Sequence, residues 1–275
     1  MRPVCFISDF GLGDDFVGTC KLVMSSIAPG IHVVDLTHDV PGFGVEVGAE
    51  ILQHATRYAP ADAVYLAIVD PGVGTKRRAV ALRASSGALM VGPDNGLLLP
   101  AAESLGGVVE AVALTEGRFH IHPVSNTFHG RDVFAPVAAH LAVGVGIGEA
   151  GEALDPTSLA ELRLPDAAET GAGPELSARI ISIDRYGNAR LSIMQDEAGF
   201  EYGATLTVDT GDGSMAVQYV ETFGTAKAGE LILVPDSHWR LSLAINRGSA
   251  AQALALKVGG RVRVRPPGEP EDARA

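Results

Sequence analysis

The chain has 275 residues, with 21 Lys+Arg against 33 Asp+Glu and a net charge of -12. That charge excludes a general nucleic-acid binder, which needs a basic footprint, but it leaves room for a local cationic pocket. At 47% hydrophobic and 20% charged residues the composition is that of a globular protein of one or two domains. No apolar run approaches the roughly 18 residues of a membrane span, and the first residues lack a signal-peptide pattern.

In chain order, residues 1 to about 160 alternate strand and helix signals. Short apolar runs at 3–7, 32–35, 63–69, 79–84 and 108–114 read as strands. In 15–28, Phe16, Cys20, Val23, Met24 and Ile27 fall on one helical face, with Asp14 or Asp15 placed to cap it. In 132–143, Phe134, Val137 and Leu141 share a face, Asp132 is a cap candidate, and Pro136 sits in the first turn. The alternation implies an α/β domain, 1–166, with a largely parallel sheet. The segment "AAETGAGPE" (167–175) reads as a linker. Beyond it, short strands separated by turn residues imply a smaller all-β, barrel-like domain over 175–265. The tail 266–275 is expected to be disordered. Cys5 and Cys20 lie on apolar stretches and read as buried thiols, which suggests a cytoplasmic location.

Ligands of open α/β sheets bind beyond the carboxyl ends of the strands. Two strand ends carry acidic turns: Asp9, with Asp14 and Asp15 beyond it, in "SDFGLGDDFVG", and Asp70 in "VDPGVGTKRR". Asp9 suits an Asx turn or a ligand contact equally, and Asp70 before Pro-Gly suits turn chemistry or catalysis. A third cluster, "NTFHGRD", offers Asn126, His129, Arg131 and Asp132. His129 lies in a glycine-bounded loop with no packing reason to be there. His120 and His122 alternate as on a strand, without a third metal ligand nearby. The glycines match no dinucleotide or Walker pattern.

The ordered set "SDFGLGDDFVG", "VDPGVGTKRR", "GPDNGLL", "NTFHGRD" and "IDRYGNA" resembles the S-adenosyl-L-methionine (SAM) hydroxide adenosyltransferases, relatives of the fluorinase and chlorinase enzymes. The resemblance spans about residues 3–265. It implies SAM plus water giving adenosine and L-methionine, with no cofactor and no metal. It also implies homotrimers in which the substrate lies between the first domain of one subunit and the second domain of its neighbour. The family's catalytic Asp, Arg and His fall on Asp70, Arg77 and His129. Asp9 matches the carboxylate that takes both ribose hydroxyls, and Phe43 an aromatic against the ribose. Asp184 matches the acid for the methionine ammonium, Asn188 an adenine contact, and Ser237 a residue near the methionine carboxylate. Tyr186 and Phe223 are candidates to stack on adenine. Fluorinase-like enzymes carry Tyr at the position of Asp70 and Ser at that of Gly130, so this set points to hydroxide, not halide. The sequence departs from the family at "DSHWRL" (236–241), where His238 and Trp239 stand near the amino-acid end of the pocket, and at Gly44.

Two other readings stay open on the residues alone. One is a metal-dependent hydrolase built on Asp9, Asp14, His129 and Asp132. The other is a non-catalytic SAM- or adenosine-binding regulator.

Overall fold

The structure, a computed structural model, describes residues 1–162, 169–170 and 175–267. The chain divides into two units, Met1–Leu162 and Arg163–Ala275.

The first unit is built on a seven-stranded sheet: β1 (Val4–Ser8), β2 (Val33–Thr37), β3 (Val64–Ile68), β4 (Ala79–Ala84), β5 (Leu89–Pro93), β6 (Val108–Ala113) and β7 (Glu152–Leu154). Strand order is β2-β1-β3-β5-β4-β6-β7. β2, β1, β3 and β5 pair in parallel, and β4, β6 and β7 extend the sheet antiparallel. Five of the seven strands therefore point one way, the mostly parallel sheet expected. β1 and β3 are buried along their whole length, as central strands covered on both faces must be. Val4 and Phe6 join one core with Val17, Cys20 and Met24 of α1 (Phe16–Ile27) and Val137 and Leu141 of α4 (Ala135–Ala142). α2 (Val45–Ala55) buries Ala49 and Leu52 and packs on α3 (Leu99–Ser104). The period-2 alternation of the strands separates the side chains that face each layer.

In the second unit, β9 (Leu176–Ile183), β10 (Ala189–Met194), β11 (Thr205–Asp209), β12 (Ser214–Tyr219), β13 (Leu231–Pro235), β14 (Arg240–Ile245) and β15 (Arg261–Arg265) run in the order β10-β14-β13-β12-β11-β15-β9. β10 also pairs with β9, so the seven strands close into a barrel. Alternate residues point inward: Leu176, Ala178 and Ile180, then Leu206 and Val208, then Val262 and Val264. The short α5 (Ala250–Ala253) follows β14.

Several local expectations are corrected. β8 (Glu169–Thr170) pairs with β9, so part of the expected linker is strand; the rest of the linker and most of the tail lie outside the described residues. β5, β7, β10, α2 and α3 are further elements, none of them among the runs assigned from the sequence. His120 and His122 are not on a strand but follow a single 3-10 turn, Gly117–Phe119. Phe16 is 40% exposed, and Val17 takes its place on the buried face of α1. Asp15 is the N-cap of α1, but its carboxylate takes the Thr19 hydroxyl (3.0 Å) and no backbone N–H. Asp132 caps nothing: it lies fully buried inside a π-helical turn, Gly130–Phe134, that leads into α4.

Candidate active site

The sheet's strand order reverses between β1 and β3, with β2 on one side and β5 on the other. Ser8 lies level with Ile68, so the chain leaves both strands side by side, carrying Asp9 from one and Asp70 from the other. This is the topological switch point at which ligands of such sheets bind.

From Asp70 the chain winds through consecutive tight turns: Val73 N–H donates to the Asp70 carbonyl and Thr75 N–H to that of Gly72. The Thr75 hydroxyl donates to the Gly72 carbonyl (2.7 Å) and accepts the Arg77 N–H (3.2 Å). The turn thereby returns Arg77 to Asp70. Its Nε donates to Asp70 Oδ1 (3.1 Å) and its Nη2 to Oδ2, a bidentate pair with side chains only 8% and 6% exposed. Arg77 also lies over the Phe134 ring, 5.3 Å from its centroid. Its Nη2 is 3.2 Å from Nδ1 of His129. A guanidinium can only donate, so Nδ1 is the acceptor and the neutral ring carries its proton on Nε2. Nη1 of Arg77 is buried and meets no hydrogen-bond partner among the described residues. Asp70, Arg77 and His129, 52 residues apart at the extremes of the Arg–His contact, form one cluster.

Glycine is required where these loops meet. Gly74 has φ +74, and a Cβ there would stand 2.4 Å from the carbonyl oxygen of Asn126. A Cβ on Gly130 would press on the Phe10 and Phe128 rings at 3.0 and 3.2 Å. Phe10, Phe16 and Phe128 form a ring cluster, with centroids 5.1–5.8 Å apart, that joins the Asp9 and His129 loops. Burial and the Arg77 cation push the His129 pKa below its ordinary value, against the opposing carboxylates of Asp70 and Asp132. Burial and the cation both favour the neutral imidazole, as does its acceptance of the Arg77 N–H.

Asp9 is half-buried and accepts the Phe43 N–H (3.0 Å) on Oδ2. Phe43 is 74% exposed at φ +64, a backbone conformation that a bulky side chain rarely adopts. The structure thus brings Asp70, Arg77 and His129 together, and Asp9 with Phe43.

The candidates for the adenine and methionine ends of the pocket lie in the second unit. Asp184, in the turn between β9 and β10, accepts from Tyr186 N–H (2.8 Å), Asn188 N–H (2.9 Å) and the Asn188 amide (2.8 Å). Much of its capacity thus orders its own turn, which leaves Tyr186 71% exposed. Phe223 is 40% exposed on a single 3-10 turn. Ser237 is exposed and His238 half-buried in the β13–β14 hairpin, whose tip carries Trp239 at φ +62.

A SAM hydroxide adenosyltransferase N-terminal domain matches residues 4–151, and the C-terminal domain of the same family matches 178–263. This chain belongs to the SAM hydroxide adenosyltransferase family. An (R)-S-adenosyl-L-methionine hydrolase of Salinispora tropica is 44% identical, over 95% of this chain and 97% of that protein. Its namesake in Thermus thermophilus is 41% identical, over 96% and 100%. A fluorinase of Actinoplanes is 31% identical, over 95% and 96%. Among solved structures, an uncharacterized conserved protein from Thermotoga maritima superposes with a TM-score of 0.88 at 32% identity, covering 95% of this chain and 99% of that one.

Two residues of the first unit, Asn95 and Asp132, hold the cluster in place, a role the sequence did not reveal for either. The amide of Asn95, in the "GPDNGLL" motif, donates to the carbonyl of Val69 (2.8 Å), the residue before Asp70. Asp132 accepts the Ser125 N–H (2.8 Å) and the N–H groups of Arg131 Nε and Nη2 (2.7 and 2.9 Å), closing the loop that carries His129. Burial opposes its ionised form, but the bonds from Arg131 and Ser125 outweigh it and hold the carboxyl below the usual range. Asp236, at the hairpin with the atypical "DSHWRL", takes Arg190 Nε and the N–H groups of His238 (2.8 Å) and Arg240 (3.1 Å). Their one sequence signal was a polar residue beside a glycine or a motif edge. Asp132 is committed to Arg131, and among the described residues no group of three or more His, Cys, Asp and Glu is placed to hold a metal ion. The metal-hydrolase reading therefore lacks its ligand set. Cys5 and Cys20 are buried free thiols, and burial pushes Cys20 up to about 12. Among the described residues no helix is long and apolar enough to cross a membrane.

Proposed function

We propose that this chain hydrolyses SAM to adenosine and L-methionine by in-line attack of water at C5′. The observation that carries the reading is the buried Asp70–Arg77–His129 cluster beside Asp9 at the sheet's switch point, with Arg77 Nη1 left to donate. The water oxygen bonds to C5′ while the C5′–S bond breaks, and its electron pair returns to sulfur. The leaving group is then a neutral thioether, so no general acid is required. One proton must leave the water. Nδ1 of His129 is engaged by Arg77, so the spare lone pairs of the Asp70 carboxylate are the acceptor within the cluster. Arg77 Nη1 and His129 Nε2–H are the donors that would hold the water oxygen in line. Positioning of this kind contributes several kcal/mol of a barrier, up to roughly 7–11. A carboxylate beside the attacking atom repels a halide and favours a nucleophile that must lose a proton, which separates this site from fluorinase chemistry.

Asp9 would take the ribose hydroxyls, with Phe43 against the sugar. Asp184, Tyr186, Asn188, Phe223, Ser237 and His238 would hold adenine and methionine from the second unit of a neighbouring copy in a cytoplasmic homotrimer. Exposure of the Phe43, Tyr186 and Phe223 rings supports this, because large exposed rings are what a ligand or neighbour covers. The test is incubation of chelator-treated protein with SAM and chromatography of the products. Equal amounts of adenosine and methionine are expected. Activity that appears only on adding a divalent ion refutes the reading, and SAM binding without turnover favours the regulator instead.

A further inference from the structure

A second polar constellation lies directly behind Asp9. The Ser8 hydroxyl, fully buried at the end of β1, is 2.7 Å from Nδ1 of His38. Nε2 of His38 is 3.1 Å from Asp35 Oδ1, and Asp35 Oδ2 is 2.5 Å from Nζ of Lys21 on α1. The His38 ring is buried edge-on against Phe6, 4.6 Å between centroids.

Ser, His and Asp stand here in the chemical order of a hydrolytic triad. Accessibility decides against that use, because Ser8 is 0% exposed. Its oxygen also takes the Phe10 N–H (3.4 Å) while its proton goes to His38. Both functions of the hydroxyl are committed inside the fold. Ser O–H donating to Nδ1 leaves the neutral ring to donate from Nε2 to Asp35, so every link of the chain is satisfied in one direction.

What the chain touches is the turn that carries Asp9. Phe10 N–H reaches Ser8 Oγ, Gly11 N–H reaches the His38 carbonyl (2.8 Å), and Val40 N–H reaches the Ser8 carbonyl (3.4 Å). Further along, Phe43 N–H reaches Asp9 Oδ2 (3.0 Å). Segments 8–11 and 38–43 are thus tied by three of these bonds and, at the root, by the Ser8–His38 bond itself. We infer that Ser8 and His38, anchored by Asp35, are positioning residues that fix the Asp9 carboxylate for a ribose. Lys21 closes the chain at the surface, with 36% and 41% of the Lys21 and Asp35 side chains exposed, and contributes little there. This inference rests on the reading of Asp9 as the ribose contact.

The gradient from core to surface makes the test. The variants are Ser8→Ala, His38→Phe, His38→Asn and Lys21→Met, each measured for adenosine affinity by calorimetry, for KM and kcat with SAM, and for Tm. Ser8→Ala and His38→Phe are expected to raise the adenosine Kd and the KM about tenfold, with kcat changed less than about twofold. His38→Asn, which keeps an acceptor at the place of Nδ1, restores most of the loss, and Lys21→Met changes Kd less than about twofold. A fall in Tm with unchanged Kd overturns the inference, since the network would then serve only the fold. Loss of turnover in Ser8→Ala at unchanged Kd, with covalent labelling of Ser8 by a fluorophosphonate, overturns it in favour of a nucleophile. Wild-type protein that binds adenosine but does not hydrolyse SAM refutes the proposed function alone, and the affinities still decide the inference. Wild-type protein that does not bind adenosine refutes the inference.

Discussion

The Asp70–Arg77 pair should behave as one unit in both stability and turnover. Both side chains are more than nine-tenths buried, and Arg77 also holds His129 and lies on Phe134. Removing one partner of a buried ion pair leaves an uncompensated charge and costs about 3–5 kcal/mol. At roughly 2–4 °C per kcal/mol for a unit of this size, Asp70→Ala or Arg77→Ala should lower Tm by about 6–20 °C. Arg77→Ala should be the worse, because it also breaks the His129 bond. The double variant leaves neither charge unpaired, so its loss should fall well short of the sum. Turnover should drop at least about 100-fold in each single variant, and the double should be hardly slower than the worse single. Thermal melts and adenosine chromatography on the four proteins measure both cycles. Effects below about 0.5 kcal/mol that add, with near-normal turnover in Arg77→Ala, would mean a surface turn and would refute the assignment.

Three further outcomes are expected. Asp9→Ala should weaken adenosine binding by about 1.5–3 kcal/mol in calorimetry, the size of a charged hydrogen bond, and an unchanged affinity would leave Asp9 as turn chemistry alone. Gly74→Ala places a Cβ at φ +74 against the Asn126 carbonyl, so it should cost at least about 1–2 kcal/mol in denaturant unfolding and reduce kcat by shifting Arg77 from His129. His129, His120 and His140 all have pKa values lowered from 6.5 in the folded protein, each chiefly by burial. The unfolded chain then takes up protons first as pH falls, so their contribution to stability is full above pH 6.5 and is lost below it. Melts from pH 8 down to about 5 should show Tm falling on the acid side, and a Tm that rises there contradicts the burial of these rings.

Much of this site was legible because motif order survives in the chain while contacts do not. Asp9 and Asp70 could be placed at strand ends from the apolar runs before them, and the seven-residue return from Asp70 to Arg77 agrees with the turn observed. His129 stood out by its glycine-bounded loop, but its place beside Asp70 and Arg77 entered only through the family resemblance, since nothing in "NTFHGRD" says which strand end it will meet. The supports were harder to see. Asp132 looked like a helix cap because a carboxylate before an apolar period usually is one; a π-helical turn buries it instead, and such turns leave no periodic trace. Asn95 and His38 act on backbone and side chains distant in sequence, through parallel pairings that no local pattern encodes. β10 went unassigned although "ARLSI" alternates apolar and polar residues, with Ala189, Leu191 and Ile193 facing the barrel core.

Hydrolysis of SAM in heavy-oxygen water tests the central claim most directly. Attack at C5′ by a water held at Asp70, Arg77 and His129 predicts one heavy oxygen per adenosine, at the 5′-hydroxyl, and none in methionine. Unlabelled adenosine, label in methionine, or 5′-methylthioadenosine as the product would contradict it.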